Sequence, residues 1–181
     1  MEIVICPDAV QAGRLGADAI TTLIRRKPDG VLGLATGSSP LGIYDELARR
    51  HEAGELSFAN ARGFTLDEYV GLATEHPETY HNVIRKDFVN RVDFADGAVR
   101  GPDGLSDDIP AFCRSYEEAI AAAGGIDLQI LGIGTDGHIG FNEPGPSLAS
   151  RTRIKTLTKQ TRIDNARFFG GDIDQVPTHC I

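Results

Sequence analysis

The fold is indicated most clearly by the ten residues VLGLATGSSP, which occupy positions 31–40. Positions 31–35 form a short apolar run that is typical of a buried strand, and the turn residues at 36–40 follow it directly. Beyond the turn, apolar side chains recur at helical spacing until Gly54, namely Leu41, Tyr44, Leu47, Ala48 and the stem of His51. A buried strand that leads through a glycine turn into an amphipathic helix is the repeating unit of α/β proteins with parallel sheets.

The same alternation continues on both sides of this stretch. We predict further strands at residues 2–6, 63–66, 126–133 and 153–157, of which 126–133 has the strongest strand pattern. Helices are predicted over residues 7–26, 80–92, 109–120 and 162–169. The pattern predicts an α/β fold with a mostly parallel sheet. The last residues, 176–181, resemble the start of another strand, so we expect the chain to be a fragment.

Composition limits the class of protein. The chain has 181 residues, of which 41% are hydrophobic and 24% charged, as in one ordinary globular domain. It lacks a signal peptide and an apolar run near the roughly 18 residues that a membrane span needs, so we expect a soluble, cytoplasmic protein. The net charge of -8 argues against nucleic acid or an anionic membrane as partner. Cys6, Cys113 and Cys180 indicate free thiols, since they are odd in number and far apart.

The turn after the strand at 31–35 is the first candidate site. Gly37 lets a ligand approach the backbone closely, Ser38 or Ser39 can cap the following helix, and Pro40 suits its first turn. Amide groups and the helix dipole there favour a bound phosphate, and an ordinary strand-to-helix turn is the alternative. The turn has neither the Gly-Lys-Ser/Thr ending of a Walker loop nor a GxGxxG pattern, which favours a sugar phosphate over a nucleotide.

Two further candidates follow predicted strands. Asp67 and Glu68 come directly after the strand at 63–66, where a carboxylate can act as a general base or lie in a solvated turn. The loop GIGTDGHIGFNEP at 132–144 has Asp136 and Glu143 on either side of His138. Because a carboxylate can orient an imidazole and raise its basicity, this loop indicates acid/base chemistry, with a structural histidine as the alternative. A metal site is less favoured, since the loop offers no second histidine or cysteine.

A local excess of basic residues forms the fourth candidate. It consists of SRTRIK at 150–155, followed by Arg162 and Arg167. In a chain with a net charge of -8, these arginines suit a phosphate group, for which a guanidinium offers a planar fork of donors. A solvated charged edge is the alternative.

The motifs together resemble one enzyme family. The chain contains, in this order, TGSSP, LDEYVGL, EHPETYHNV, GIGTDGHIGFNEPGPSLASRTRIKTL and TRIDNARFF, and it closely resembles the glucosamine-6-phosphate deaminase family over essentially its whole length. The resemblance implies a Rossmann-like, doubly wound α/β fold. It also implies the conversion of glucosamine 6-phosphate and water to fructose 6-phosphate and ammonia, in amino sugar metabolism, with no metal or organic cofactor.

The resemblance implies roles for individual residues. Asp67 matches the acid/base that removes the C2 proton of the opened sugar and returns one to C1. His138 matches the histidine that opens the sugar ring, and Asp136 and Glu143 match the two acids that assist it. The residues that match the phosphate and substrate contacts are Thr36, Gly37, Ser38, Ser39 and Arg167.

Two features depart from the family pattern. Family members continue past the position of Ile181, with a lysine there that helps bind phosphate, so the resemblance implies a single domain over residues 1–181 without its C-terminal elements. In allosteric members a serine precedes Ser147, whereas this chain has Pro146, although Arg153 and Lys155 match other effector contacts. The resemblance therefore does not carry over activation by N-acetylglucosamine 6-phosphate or the accompanying hexamer, and it leaves a homo-oligomer open.

Two other functions compete with this interpretation. A 6-phosphogluconolactonase is similar in fold and shares a Gly-x-Asp-Gly-His loop, but the residues at 141–144, FNEP, match the deaminases. A non-catalytic sugar-phosphate-binding module needs no acid/base residues, whereas this chain has four candidates. Release of ammonia from glucosamine 6-phosphate would distinguish the deaminase from both.

Overall fold

The main sheet is built from four short parallel strands in a computed structural model that describes residues 2–134, 137–142, 145 and 149–181. The strands are β1 (Val31–Leu34), β2 (Arg62–Thr65), β3 (Val99–Arg100) and β4 (Leu128–Gln129). Their spatial order is β3-β2-β1-β4, and each neighbouring pair is parallel. The predicted parallel sheet is therefore confirmed, with β1 and β2 as its two central strands.

Five α-helices are present in the described part of the chain. They are α1 (Ala9–Arg26), α2 (Leu41–Glu52), α3 (Tyr80–Asp87), α4 (Ile109–Ala122) and α5 (Lys159–Asn165). At four of their starts a short polar side chain accepts a backbone N–H of the first turn, from Asp8, Thr79, Asp108 and Thr158. None of these helices has the length and apolar character that crossing a membrane requires.

The helices cover both faces of the sheet. Side chains alternate across β1, so Leu32 and Leu34 pack on one face while Val31 packs on the other. The first face is covered by α1, α2 and α3, through buried residues that include Ile20, Leu47 and Ile84. The second face is covered by α4, whose Tyr116 packs edge-on against Phe64 of β2. This is the doubly wound arrangement that the resemblance implied.

A second, smaller sheet fixes the segment that follows β2. Strands β5 (Lys155–Thr156) and β6 (His179–Cys180) are antiparallel. Glu68 and Ile181 exchange both backbone hydrogen bonds, and the N–H of Val70 donates to the carbonyl of His179. Residues 68–70 are therefore held in place by the last residues of the chain.

Two predicted strands are corrected by the structure. Residues 2–6 form no strand, and Ile3 and Ile5 are 76% and 93% exposed. An apolar run becomes a strand only where a neighbour offers its N–H and C=O groups, and no described residue pairs with this segment. The strand predicted at 126–133 shrinks to two residues, because β1 is its one partner in the described sheet and pairing ends where Ile130 donates to Gly33.

Candidate active site

A cavity of about 830 Å³ lies at the carboxyl ends of β1, β2 and β4. The order of the strands reverses between β1 and β4, and the crevice at such a reversal is where open α/β sheets bind ligands. The volume is in the usual range for a small-molecule site. Residues from six segments line it, including Thr36, Gly37, Ser38, Ser39, Leu66, Asp67, Tyr80, Val83, Lys86, Gly134, His138, Gly140, Phe141 and Arg167.

The cavity brings together most of the residues predicted from the sequence. The turn at residues 36–39, Asp67, His138 and Arg167 all contribute to its wall. Asp136 and Glu143 lie outside the described residues. Pro146 and Ser147 also lie outside them.

The polar groups of the turn at residues 36–39 line the cavity. Gly37 has a φ of 95°, in the left-handed region that favours glycine. The expected serine cap is absent: Pro40 occupies the N-cap position of α2 and no side chain caps the helix. Because neither Ser38 nor Ser39 is used by α2, their hydroxyl groups remain available to a ligand that the cavity holds.

Two buried tyrosines fix the strand ends that carry the site. The hydroxyl of Tyr44, from α2, donates to the carbonyl of Ala35 at 2.7 Å and accepts from its N–H at 3.2 Å. The hydroxyl of Tyr116, from α4, donates to the carbonyl of Thr65 at 2.8 Å. A helix on one face of the sheet therefore holds the backbone directly before the 36–39 turn, and a helix on the other face holds the backbone two residues before Asp67.

Asp67 is a buried carboxyl group at the wall of the cavity. It is 9% exposed, and its pKa rises from 3.8 to about 7 because burial and the negative charge of Glu68 disfavour the ionised form. A carboxyl group with a pKa near 7 exchanges protons readily at neutral pH, which suits a general acid/base. Asp67 thus combines access to the cavity with a proton affinity appropriate for catalysis.

The loop that carries His138 is tightly folded. The N–H of Gly134 donates to the carbonyl of His138 at 2.8 Å, and Ile139 and Asn142 exchange backbone hydrogen bonds. A Cβ at Gly134 would overlap the imidazole ring, so only glycine fits there while the ring keeps its place. The guanidinium of Arg153 donates to the side-chain oxygen of Asn142 at 2.8 Å. The histidine is therefore held by its loop, and the loop by an arginine of the basic stretch.

The predicted basic cluster divides into three parts. Arg167 lines the cavity, with its guanidinium 4.7 Å from the centre of the Phe168 ring. Arg162 instead donates to the backbone carbonyls of Ile173 and Val176, which is a structural role. Residues 151–154 line a separate cavity of about 510 Å³ against α4, where Arg151 pairs with Glu117 at 3.0 Å. Of this cluster, only Arg167 reaches the main cavity.

Some residues that line the cavity were not predicted from the sequence. Lys86 of α3 lines the cavity and forms no ion pair with any described residue. Tyr80 lines the same wall, and the hydroxyl of Tyr69, next in the chain to Glu68, accepts hydrogen bonds from Tyr80 and Asn165. The signal that could have revealed Lys86 is its helical spacing from Tyr80 and Val83, which puts all three on the cavity side of α3.

No three His, Cys, Asp or Glu side chains within the described ranges form a group that could hold a metal ion. The polar groups of the cavity wall are hydroxyls, side-chain amides, two cationic side chains, an imidazole and carboxyl groups. This set of groups can hold a phosphate with its cations and hydroxyls, and it can move protons with Asp67 and His138.

Comparison with known proteins identifies the family. Residues 9–158 match the family described as glucosamine-6-phosphate isomerases/6-phosphogluconolactonase. The whole chain is 74% identical to a glucosamine-6-phosphate deaminase of Mycolicibacterium smegmatis and 70% identical to one of Beutenbergia cavernae, and it covers 69% of each.

Comparison with solved structures indicates the same family. A monomeric glucosamine-6-phosphate deaminase superposes with a TM-score of 0.96 at 43% identity, over 99% of this chain and 74% of the other. A 6-phosphogluconolactonase from Thermotoga maritima superposes with a TM-score of 0.64 at 24% identity, over 78% of this chain and 63% of the other, which is a likeness of fold. The chain therefore belongs to the glucosamine-6-phosphate isomerase/6-phosphogluconolactonase family, on its glucosamine-6-phosphate deaminase side.

Proposed function

We propose that this protein is a glucosamine-6-phosphate deaminase whose reaction takes place in the cavity at the carboxyl ends of β1, β2 and β4. One observation carries the assignment of the site: the 36–39 turn, Asp67 and His138 line the same cavity, although they lie far apart in the sequence. A phosphate site, a base of suitable pKa and an imidazole are the groups that an aldose-to-ketose conversion of a sugar phosphate needs.

The phosphate group lies against the 36–39 turn. The hydroxyls of Ser38 and Ser39 and the backbone around Gly37 donate to its oxygens, in front of the start of α2. Arg167 and Lys86 supply positive charge from the other walls of the cavity. These two cations give a phosphate group its charged partners in a cavity that is also lined by carboxyl groups, namely Asp67, Glu78, Asp87 and Asp164.

His138 opens the sugar ring. Its imidazole takes the proton from the anomeric hydroxyl and delivers one to the ring oxygen, which leaves the open-chain aldehyde. Gly134, which packs against the ring, keeps the imidazole at the cavity wall. Asp136 and Glu143 assist through their negative charge, which favours the protonated imidazole.

Asp67 then moves the proton between C2 and C1. Its carboxylate removes the C2 proton to give an enolamine, and the resulting carboxylic acid returns a proton to C1. The product is a C2 imine, which water converts to the ketone of fructose 6-phosphate while ammonia leaves. The raised pKa of Asp67, about 7, makes it a stronger base than an ordinary carboxylate and still mostly ionised slightly above neutral pH.

Lactone hydrolysis is the competing activity. The 6-phosphogluconolactonase that superposes on this chain does so at 24% identity, against 74% for the deaminase of Mycolicibacterium smegmatis. Lactone hydrolysis also leaves the C2–H bond of its substrate intact, whereas removal of a C2 proton is the step that a buried carboxyl group of raised proton affinity suits. This favours the deaminase.

The test is ammonia release from glucosamine 6-phosphate, measured together with fructose 6-phosphate. We expect equal amounts of the two products from the unaltered protein and a loss of about 10²-fold or more in Asp67→Asn, because a positioned general base contributes at least that factor. Hydrolysis of 6-phosphogluconolactone without ammonia release would contradict the proposal. Glucosamine without its phosphate serves as the substrate control.

A further inference from the structure

Glu68, next to the proposed base, has an unusual set of contacts for a carboxylate. It is 6% exposed, and it accepts backbone N–H groups from Tyr69 at 2.8 Å, Tyr80 at 3.0 Å and His81 at 2.9 Å. Tyr80 and His81 are the first two residues of α3, whose N–H groups have no partner inside the helix. Glu68 therefore ties the segment after β2 to the start of α3.

The helix that Glu68 holds forms one wall of the cavity. Tyr80, Val83 and Lys86 line the cavity, while Ile84 on the opposite side of α3 is buried in the main core. Thr79 caps the same helix start with its own side chain, which accepts the N–H of Asn82 at 3.2 Å. Other contacts also hold α3: the hydroxyl of Tyr80 donates to that of Tyr69, and the side-chain amide of Asn82 donates to the carbonyls of Thr74 and His76. The contacts from Glu68 are the ones in which a carboxylate next to Asp67 accepts the N–H groups of the helix start.

We propose that Glu68 is a positioning residue of the deaminase, which locks Asp67 and the cavity wall of α3 in one arrangement and keeps a negative charge next to the base. This inference rests on the proposed function. Burial raises the pKa of Glu68 above its ordinary value, while the three N–H groups that it accepts favour its ionised form. When Glu68 is ionised, it makes Asp67 hold its proton more strongly, since a second negative charge nearby disfavours ionisation.

Three more carboxyl groups line the cavity, Glu78, Asp87 and Asp164, but Glu68 is the one whose charge raises the pKa of Asp67. Tyr69, Tyr80 and Tyr116, from the β2 exit, α3 and α4, have pKa values raised by burial and are uncharged near neutral pH. Cys180 of β6 is likewise neutral, with its pKa raised to about 12 by burial. Arg167 and Lys86 line the cavity as cations, and a positive charge lowers the proton affinity of a nearby carboxylate rather than raising it.

The experiment is the pH profile of kcat/KM for Glu68→Gln. The unaltered protein should lose activity as pH falls through about 7, because protonated Asp67 cannot accept the C2 proton. In Glu68→Gln we expect this acid limb to move to lower pH by about 0.5 unit or more, since a like charge has been removed. An acid limb that stays in place in a folded variant overturns the proposal.

Thr79→Ala is the matched control. It removes a cap from the same helix start without changing any charge, so it should lower the melting temperature and kcat but leave the acid limb where it is. If Thr79→Ala moves the limb as far as Glu68→Gln does, loosening of α3 explains the shift and the charge has no role.

Glu68→Asp tests the positioning role separately, and it serves if Glu68→Gln does not fold. Its carboxylate keeps the charge but is one methylene too short to reach Tyr80 and His81 as Glu68 does. We expect an unshifted acid limb, a fall in kcat larger than the rise in KM, and faster hydrogen exchange at the amides of Tyr80 and His81. Unchanged kinetics and unchanged hydrogen exchange in Glu68→Asp would overturn the positioning role of Glu68.

Failure of this inference differs from failure of the proposed function. If the unaltered protein releases no ammonia, the proposed function is wrong, and hydrogen exchange at the amides of Tyr80 and His81 in Glu68→Asp still tests the contact of Glu68 with α3. If ammonia is released with an acid limb that Glu68→Gln leaves unmoved, the deaminase assignment stands and the role of Glu68 is wrong.

Discussion

The carboxyl group of Asp67 has a pKa of about 7 in the folded protein, against 3.8 for an ordinary aspartate, because burial and the charge of Glu68 disfavour its ionised form. Between these pH values the folded state keeps a proton that the unfolded state has lost. The free energy of unfolding therefore falls as pH rises through this range, and the loss is complete above about pH 7. At 1.36 kcal/mol per pH unit, the difference amounts to about 4 kcal/mol.

We therefore predict that Asp67→Asn makes the protein more stable and less active. At pH 8 the free energy of unfolding should rise by up to about 4 kcal/mol, because the buried charge is gone, and the gain should shrink as pH is lowered toward 5. Denaturant unfolding at several pH values measures it. The same change at the exposed Asp96 is the control and should give no pH-dependent gain. A gain of equal size at pH 5 and pH 8 would contradict the pKa-based explanation.

A second prediction separates Asp67 from His138. Ring opening and enolisation are different proton transfers, so His138→Gln should lose more activity on the closed ring than on any open-chain substrate, whereas Asp67→Asn should lose both. Exchange of the C2 proton in deuterated water reports the second step. Normal exchange in Asp67→Asn would identify another residue as the base, and equal losses on closed and open substrates in His138→Gln would argue against ring opening by this histidine.

At the residue scale, the sequence predicted the groups that follow strands, but it missed Lys86 of α3 and the contacts of Glu68 with α3. Asp67 and the 36–39 turn follow β2 and β1, so their place at the sheet edge could be inferred from position alone. The role of Glu68 could not, because its partners in α3 lie 12 and 13 residues away. Lys86 was missed for the same reason, since its cavity-facing side depends on how α3 docks.

At the scale of elements, α2 and α4 each provide one tyrosine hydroxyl that forms hydrogen bonds with the backbone at the end of a strand. Tyr44 satisfies both backbone groups of Ala35, directly before the 36–39 turn, and Tyr116 satisfies the carbonyl of Thr65, two residues before Asp67. These contacts make the geometry of the site depend on helix docking. The position of the phosphate turn therefore depends on α2, and the position of the base depends on α4.

We predict that the two hydroxyls affect different kinetic constants. Tyr44→Phe leaves the N–H and C=O of Ala35 without this partner, so stability should fall by about 1–3 kcal/mol and KM should rise as the phosphate turn loosens. Tyr116→Phe should instead lower kcat with a smaller change in KM, because it disturbs the strand end that carries Asp67. Steady-state kinetics of both variants measure this, and a rise in KM of equal size in each would contradict the separation.

The element boundaries were predictable where the chain pairs or packs locally. Helix α1 follows from its capping Asp8 and its apolar spacing, and β1 from its continuous apolar run. The strands expected at 2–6 and 126–133 show what such patterns cannot supply. Hydrophobic content marks a segment that could join a sheet, but the length of a strand is set by its neighbour, and β4 ends where its contact with β1 ends.

At the scale of the whole molecule, the cavity exists only in the folded chain. Its walls come from segments that extend from residue 35 to residue 168 and that meet through both faces of the sheet and the small β5–β6 sheet. No single segment contains the phosphate turn, the base and the histidine together. A ligand that fills the cavity must therefore bind the native state and not the unfolded chain, which makes thermal stability a direct measure of occupancy.

We accordingly predict that fructose 6-phosphate raises the melting temperature, by about 5–10 °C at a concentration near 100 times its dissociation constant. Fructose without phosphate should give almost no shift at the same concentration, since the hydroxyls of the 36–39 turn and the cations of Arg167 and Lys86 have no anion to bind. Ser39→Ala should reduce the shift, and Lys86→Ala should reduce it further as the salt concentration falls, because an unscreened charge contributes more at low ionic strength. If fructose stabilises as well as its phosphate, the anion is not what this cavity recognises. An undiminished shift in Ser39→Ala would indicate that the phosphate binds near Lys86 and Arg167 and not at the turn after β1.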